Sequence, residues 1–291
     1  MKLSKSFIGL VTVSTIFVLY ASGLYTKFQS DSALEIVDFS IAKPASEKNI
    51  PSNPDRVPLY GDLHVHTKYS FDAYIFGVTA TPYDAYKYAI GEAIKHPLGF
   101  DMKLKEPLDF YAVTDHGFYM GMIENYADTS SEMSKNEWTK PMHNLNRPEN
   151  VTVESLGARA NLFSSVLTQA IIKPYPYWHP KVWKAWLTNN IQVALQSFDY
   201  DVHKSAWADV ANAAEEFNDP GKFTTFIGYE FTTSTDVEGG NLHRNVIFDS
   251  SKAPIRPWTR IDSLNPEDLW TWMDGLRDQG LDSLAMPHNS N

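Results

Sequence analysis

Two histidines two residues apart carry the strongest chemical signal in the chain. The segment LYGDLHVHTKYS at 59–70 contains His64 and His66, and its apolar residues are typical of a β-strand. Residues i and i+2 of a strand point to the same face, so both imidazoles are expected to project together with Asp62. Two neutral imidazoles and a carboxylate at a strand end favour a divalent metal site. The alternative is a pair of surface histidines satisfied by hydrogen bonds.

Later strand-like segments each bring a further residue that can ligate a metal. His116, Glu230 and His288 come late in apolar runs, and His243 begins another. In α/β barrels, residues at the carboxyl ends of strands gather at one site although they lie far apart in sequence. Each of these residues also has a structural alternative as a turn or surface group. Together with the first pair and Asp72, these residues provide more ligands than one tetrahedral ion uses. Their number predicts two or three ions that share a cluster.

Strands and helices alternate along the chain, which predicts an α/β fold with a largely parallel sheet. Beyond the histidine strand, strands are predicted at 108–114, 223–232, 243–248 and 284–288, and helices at 81–95 and 265–280. An insertion at about 118–221 carries helical segments near 152–172, 181–198 and 205–218. The turn at Gly239-Gly240 leaves open a hairpin between the third and fourth strands. The remaining histidines lie in loop or helix contexts and are interpreted as structural or surface residues: His96, His143, His179 and His203.

Composition restricts both the metal ligands and the partners. The chain has 291 residues, a net charge of −10 and no cysteine. The lack of cysteine excludes disulfides and thiolate zinc sites, so any metal must be held by nitrogen and oxygen. The acidic charge gives no long-range attraction for nucleic acid, and a phosphorylated substrate would need local cations such as bound metal, Arg or Lys.

The first thirty positions have the layout of a bacterial export signal. Lys2 and Lys5 precede an apolar run at 7–20, small residues follow, and the first acidic residue is Asp31. The residues leave open whether the segment at 1–30 is cleaved or retained as a membrane anchor, because the uncharged stretch approaches the length of a spanning helix. In both cases the body of the protein is expected to be periplasmic or extracellular, with membrane contact only through this segment.

The predicted domain organisation follows from these boundaries. A linker or N-terminal extension is expected at 31–57, and the main domain at 58–291. The insertion at 118–221 is expected to cover the site and to set the choice of substrate, because long loops on a scaffold commonly carry specificity.

The ordered motifs of the main domain resemble those of a known superfamily. HVHTKYSFDA, VTDHG, GYEFT, LHRNVIF and MPHNSN, in that order, look like the successive motifs of the polymerase and histidinol phosphatase (PHP) superfamily. GDLHVHT, NPEDLWTWM and MPHNSN together closely resemble the family catalogued as domain of unknown function 3604. The resemblance covers roughly 60–291 and implies a distorted β/α barrel that holds Zn, Mn or Fe ions and hydrolyses phosphoesters. By position, it implies these metal ligands: His64, His66, Asp72, His116, Glu230, His243 and His288.

One departure from the superfamily pattern concerns the end of the chain. The closing motif of the superfamily, an aspartate and a histidine on a late strand, has no counterpart before Asn291. We therefore expect a C-terminally truncated fragment of a longer protein, with an incomplete barrel.

Three hypotheses for the function follow. The favoured one is an exported metal-dependent phosphoesterase acting on a small phosphorylated molecule, in which Asp62 and Asp115 orient ligand imidazoles and Arg244 contacts substrate oxygens. An amidohydrolase-like hydrolase also opens with His-x-His, but the histidine of VTDHG and the lack of a lysine placed as a bridging ligand favour the phosphoesterase. The third is a non-catalytic extracellular domain that binds a ligand or metal, with the tryptophans at 258–272 as a recognition surface, although their helical spacing indicates core packing.

Overall fold

The computed structural model describes residues 33–41, 57–170, 198–234, 241–263 and 265–288. These residues form a mixed α/β structure. The helices are α1 (Phe71–Ile75), α2 (Pro82–Ala89), α3 (Met122–Ala127), α4 (Leu156–Ala170), α5 (Tyr200–Phe217) and α6 (Glu267–Arg277). The strands are β1 (Ile36–Asp38), β2 (Gly61–Val65), β3 (Ile94–Lys95), β4 (Asp101–Met102), β5 (Phe110–Val113), β6 (Thr224–Thr225), β7 (Gly228–Ser234), β8 (Asn241–Phe248), β9 (Lys252–Pro254) and β10 (Ser283–Pro287). Short 3-10 helices lie between α3 and α4, at Met133–Lys135, Glu137–Met142, Pro148–Asn150 and Val153–Ser155.

The strands near the predicted site form two three-stranded sheets of opposite kind. In the first, β5 lies between β2 and β6 and both pairings are parallel, as its buried apolar run predicts. In the second, β8 lies between β7 and β10 and both pairings are antiparallel. The prediction of a largely parallel sheet is therefore wrong for this half. The stretch from 235 to 240 between β7 and β8 is too short for a parallel crossover and permits a hairpin.

A short parallel bridge joins the two sheets. The chain after β5 runs beside β7, where the amide of Glu230 donates to the carbonyl of Asp115 (2.9 Å) and the amide of Gly117 donates to the carbonyl of Glu230 (2.9 Å). The side chain of Asn245 on β8 also donates to the carbonyl of Leu63 on β2 (2.7 Å), so the two sheets are linked at a second place. Across the described residues the strands form these small sheets, and no closed barrel is found.

Local sequence signals account for the bounds of α2. Thr81 and Asp84 form a reciprocal capping box in which each side chain accepts a hydrogen bond from the amide of the other. The helix ends at Ala89, before the predicted end at 95, because Gly91 adopts a left-handed φ of 81° and the chain then enters β3.

Two apolar clusters hold the elements together. In the larger cluster, Tyr229 and Phe231 of β7 pack with Trp207 of α5. Helix α6 adds a stripe of four buried apolar side chains: Leu269, Trp272, Met273 and Leu276. The smaller cluster joins α1, α3 and α4, and so anchors the insertion to the segment that follows β2.

The described part of the insertion is helical, as predicted. Helices α4 and α5 correspond to the predicted segments near 152–172 and 205–218. The predicted segment at 181–198 lies almost entirely outside the described residues, as do the N-terminal segment and most of the extension at 31–57. Among the described helices, none has both the length and the apolar character needed to cross a membrane.

His203 on α5 ties the insertion to the loop that follows β5. Its side chain is fully buried, and its Nε2–H donates to the carbonyl of Gly117 at 2.8 Å. Burial lowers the pKa of His203 to about 3, because a charged imidazolium would lose its hydration there. His203 is thus a structural residue, in agreement with its interpretation from the sequence.

Acid is expected to destabilise the protein partly through His203. The pKa of the imidazole is about 6.5 in the unfolded chain and about 3 in the folded one, so between these pH values the unfolded state binds an extra proton. The free energy of unfolding should therefore fall as the pH decreases through this window, by up to about 1.4 kcal/mol per pH unit for this one group. His203→Gln, which keeps a donor for Gly117, should show a shallower fall in urea titrations. Parallel curves for the two proteins would contradict this.

Candidate metal centre

Glu230 lies at the centre of the predicted ligands. Side chains alternate along β7, so Tyr229 and Phe231 enter the apolar cluster while Glu230 points to the opposite face. Its side chain is only 1% exposed, although an isolated buried carboxylate is strongly disfavoured. The charge must therefore be compensated by the groups around it.

One carboxylate oxygen of Glu230 faces the first histidine pair. Oε2 lies 2.9 Å from Nε2 of His66 and 3.2 Å from Nε2 of His64. The centroids of the two imidazole rings are 5.1 Å apart. Both rings therefore project to the same side, as their two-residue spacing predicts.

The other carboxylate oxygen of Glu230 faces histidines from three further segments. Oε1 lies 3.2 Å from Nε2 of His288, which follows β10, and 3.5 Å from Nδ1 of His116, which follows β5. It also contacts Nδ1 of His243 on β8. The antiparallel pairing of β7 and β8 places His243 opposite Thr232, and so on the same face as Glu230.

Asp72 joins the cluster from the first turn of α1. Its Oδ2 lies 3.4 Å from Nε2 of His116, and its Oδ1 lies 3.8 Å from Nδ1 of His66. The structure thus brings together all of the side chains that the sequence predicts as metal ligands.

The donor atoms of the cluster fit divalent ions. Three groups each have ligand atoms within 4.8 Å of one another: His64–His66–Glu230, His66–Asp72–His116 and His116–Glu230–His243. Ligands about 2.1 Å from a common ion lie about 3.0 Å apart in an octahedron and about 3.4 Å apart in a tetrahedron. Five of the nitrogen–oxygen distances around Glu230 and Asp72, from 2.9 to 3.5 Å, lie close to that range, whereas His66 Nδ1 is farther from Asp72, at 3.8 Å. Imidazole and carboxylate donors suit Zn, Mn and Fe alike.

Electrostatics keep both carboxylates of the cluster ionised. Burial by itself would raise the pKa of Glu230, but its close contacts with the imidazoles of His243 and His66 outweigh burial and hold the pKa well below its usual range. The pKa of Asp72 is also lowered, because the hydrogen bond and charge of His116 overcome its burial. Both carboxylates are therefore available as ligands at neutral pH.

The cluster is most open to solvent near β2 and β10. The side chains of His116 and Glu230 are 5% and 1% exposed, whereas those of His288 and His64 are 23% and 45% exposed. Solvent therefore reaches the cluster from the side of His64 and His288.

Asp115 holds the loop between the histidine pair and α1. Its buried carboxylate accepts hydrogen bonds from the amide (2.5 Å) and the hydroxyl (2.6 Å) of Thr67. Burial raises the pKa of Asp115 to about 6. These hydrogen bonds go to the residue after His66 rather than to an imidazole, so Asp115 acts on the predicted ligands through the loop.

The structure does not bring the other two predicted catalytic residues into the cluster. Asp62 is exposed, and its carboxylate accepts a hydrogen bond from the backbone amide of His64 (2.9 Å) instead of an imidazole. Arg244 lies on the opposite face of β8 from His243, where its guanidinium stacks over Trp270, 4.8 Å from the ring centroid. This placement does not agree with a contact between Arg244 and substrate oxygens. Alternation along the strand is the physical reason.

Two hydroxyl groups that the sequence analysis did not single out contact the cluster. Oγ of Ser70 lies 2.7 Å from Nδ1 of His66, and Oγ1 of Thr232 lies 2.5 Å from Nδ1 of His116. The position of Thr232 two residues after Glu230 on a strand was a usable signal. Ser70 had only the weaker signal of its place shortly after the histidine pair.

Comparison with known proteins found one family and no assigned activity. A family model described as protein of unknown function (DUF3604) matches residues 53–291, which is most of the chain. No curated protein matches the chain, and no solved structure matches it either.

Removal of the central charge is expected to abolish tight metal binding. Glu230→Gln keeps the shape of the side chain but replaces a carboxylate with a neutral amide, which is a weaker ligand for a divalent ion. The affinity for Zn²⁺, measured by competition with a chromophoric chelator, should fall about 100-fold or more. Glu149→Gln changes an exposed carboxylate outside the cluster and should bind as the wild type does. Equal affinities for Glu230→Gln and the wild type would contradict the central role of Glu230.

Proposed function

The chain belongs to the DUF3604 family, and we propose that the protein is a metal-dependent hydrolase with a phosphoester as its favoured substrate. One observation carries the proposal: imidazoles and carboxylates from distant segments converge around Glu230. Glu230 and Asp72 together compensate only two positive charges, so five imidazolium rings at this spacing would repel one another. Neutral imidazoles that turn their lone pairs toward shared cations avoid that repulsion. We propose two or three ions of Zn, Mn or Fe.

The cluster contains buried residues, which would hold the ions, and exposed residues, which lie where a substrate could enter. Divalent ions in such a site lower the pKa of water and polarise phosphoryl oxygens. Glu230 and His116 are buried and held by β7 and the bridge, so they would hold the ions in fixed positions. His64 and His288 lie at the exposed side, where a substrate can enter. Asp115 keeps the loop after His66 in place through Thr67.

We also propose that the two sheets belong to a β/α barrel of the PHP type. In support, β2 and β5 are parallel and both carry predicted ligands just beyond or near their carboxyl ends, as in α/β barrels. The parallel bridge between His116, which follows β5, and Glu230 makes β7 a further parallel neighbour of this chain segment. The hydrogen bond from Asn245 to Leu63 also supports the proposal, because it links β8 of the second sheet to β2 of the first.

Charge favours a small substrate over a polymer. With a net charge of −10, the chain has no long-range attraction for polyanions, so the bound ions are the expected cations for a phosphoryl group. A small phosphorylated molecule is therefore a better candidate than nucleic acid. Export by the segment at 1–30 to the periplasm or beyond is part of the proposal, with membrane contact confined to that segment.

Loss of the first histidine pair tests the proposed activity. His64→Ala and His66→Ala each remove one nitrogen donor from the groups around Glu230. Hydrolysis of a panel of phosphomonoesters and phosphodiesters, with metal ions supplied, should fall about 100-fold or more. His96→Ala is the matched control, because this imidazole stacks on Phe100 outside the cluster.

Steady-state rates of the wild type and the three variants distinguish the outcomes. Equal rates in all four proteins, or no hydrolysis by the metal-loaded wild type, would contradict the proposal. Hydrolysis of amides but not phosphoesters, lost in the two cluster variants, would keep the metal-dependent hydrolase and replace the substrate class.

A further inference from the structure

Ser70 lies where three predicted metal ligands meet. It is fully buried and is the N-cap residue of α1. A serine in this position usually accepts a hydrogen bond from an amide of the first helical turn. In the described structure the Ser70 hydroxyl makes no such capping bond and contacts His66 and Asp72 instead.

The hydrogen bonds of this hydroxyl fix which group donates in each. A serine hydroxyl has one proton to donate and two lone pairs to accept. Oδ1 of Asp72, 2.7 Å away, is an acceptor that also takes the amide of Ala73, so it must receive the Ser70 proton. The amide of His116 (3.3 Å) and Nδ1 of His66 (2.7 Å) must then both donate to Ser70.

This proton count determines the form of the His66 ring. With a proton on Nδ1, a neutral imidazole carries its lone pair on Nε2. Nε2 lies 2.9 Å from Oε2 of Glu230, so two lone pairs face each other where a cation would be held. A hydrogen bond at one ring nitrogen of a histidine ligand fixes the tautomer of the ring and the direction of the other nitrogen, which binds the ion.

We propose that Ser70 is a positioning residue of the metal centre, which holds His66 in the Nδ1–H form and presents Nε2 to the ion. This inference rests on the proposed function and names the group that orients its site. The same hydroxyl holds Oδ1 of Asp72 and leaves Oδ2 to face His116. Ser70 therefore makes the orienting contact with an imidazole that the sequence analysis assigned to two aspartates.

Histidine ¹⁵N NMR and metal titration of the full chain test this inference. Long-range ¹H–¹⁵N spectra of the Zn²⁺-saturated protein distinguish a protonated Nδ1 from a protonated Nε2 of His66. We expect the Nδ1–H form for His66 in the wild type and a shift toward the Nε2–H form in Ser70→Ala. The affinity of Ser70→Ala for Zn²⁺ should be about 10- to 100-fold lower than that of the wild type.

A second serine provides the matched control. Ser134→Ala also removes a buried hydroxyl, but one that donates to the carbonyl of Ser131 outside the cluster. It should change neither the form of His66 nor the affinity for Zn²⁺.

The outcomes separate the inference from the proposed function. An Nε2–H form of His66 in the wild type overturns the role of Ser70, and this spectrum decides even if Ser70→Ala fails to fold. Equal Zn²⁺ affinities for Ser70→Ala and the wild type also overturn it, while the metal site stands. Failure of the wild type to bind Zn²⁺, Mn²⁺ or Fe²⁺ overturns the proposed function and the inference together.

Discussion

A carboxylate buried among five imidazoles is the constraint on which the rest of the structure depends. The Glu230 side chain is 1% exposed, and such a charge is stable inside a protein only while surrounding partners pair with it or hold cations beside it. Those partners come from β2, β8 and the segments after β5 and β10, which are far apart in the chain. The fold must therefore bring four segments to one face of β7, and the loss of any of them leaves the carboxylate undercompensated.

The two-residue period of β7 lets one strand serve both packing and chemistry. Tyr229 and Phe231 lie in the larger apolar cluster, while Glu230 and the hydroxyl of Thr232 face the imidazoles. Gly117 makes the close approach of the neighbouring loop possible, because a Cβ there would lie 2.7 Å from the ring of Tyr229. The apolar face thus fixes the position of the polar one, and packing energy holds the ligands in register.

The ligand cluster was easier to predict from the sequence than the sheets around it. His64 and His66 leave a direct signal, because a two-residue spacing on a strand decides the face of each side chain. The position of Arg244 on the other face follows from the same rule applied to its neighbour His243. The antiparallel pair of β7 and β8 was one of two alternatives left open by Gly239-Gly240, whereas the antiparallel pairing of β10 was not predicted, because apolar runs indicate burial but not direction. The role of Ser70 depends on a proton count over four hydrogen-bonding groups, and no sequence pattern carries that information.

Anomalous X-ray diffraction from crystals of the Zn²⁺-loaded protein is the most direct test of the central claim, which is that Glu230 and the surrounding imidazoles hold cations. We predict an anomalous peak about 2.0–2.2 Å from a carboxylate oxygen of Glu230 and from a ring nitrogen of His66 or His116. Peaks confined to surface carboxylates, with the imidazoles hydrogen-bonded directly to Glu230, would contradict it.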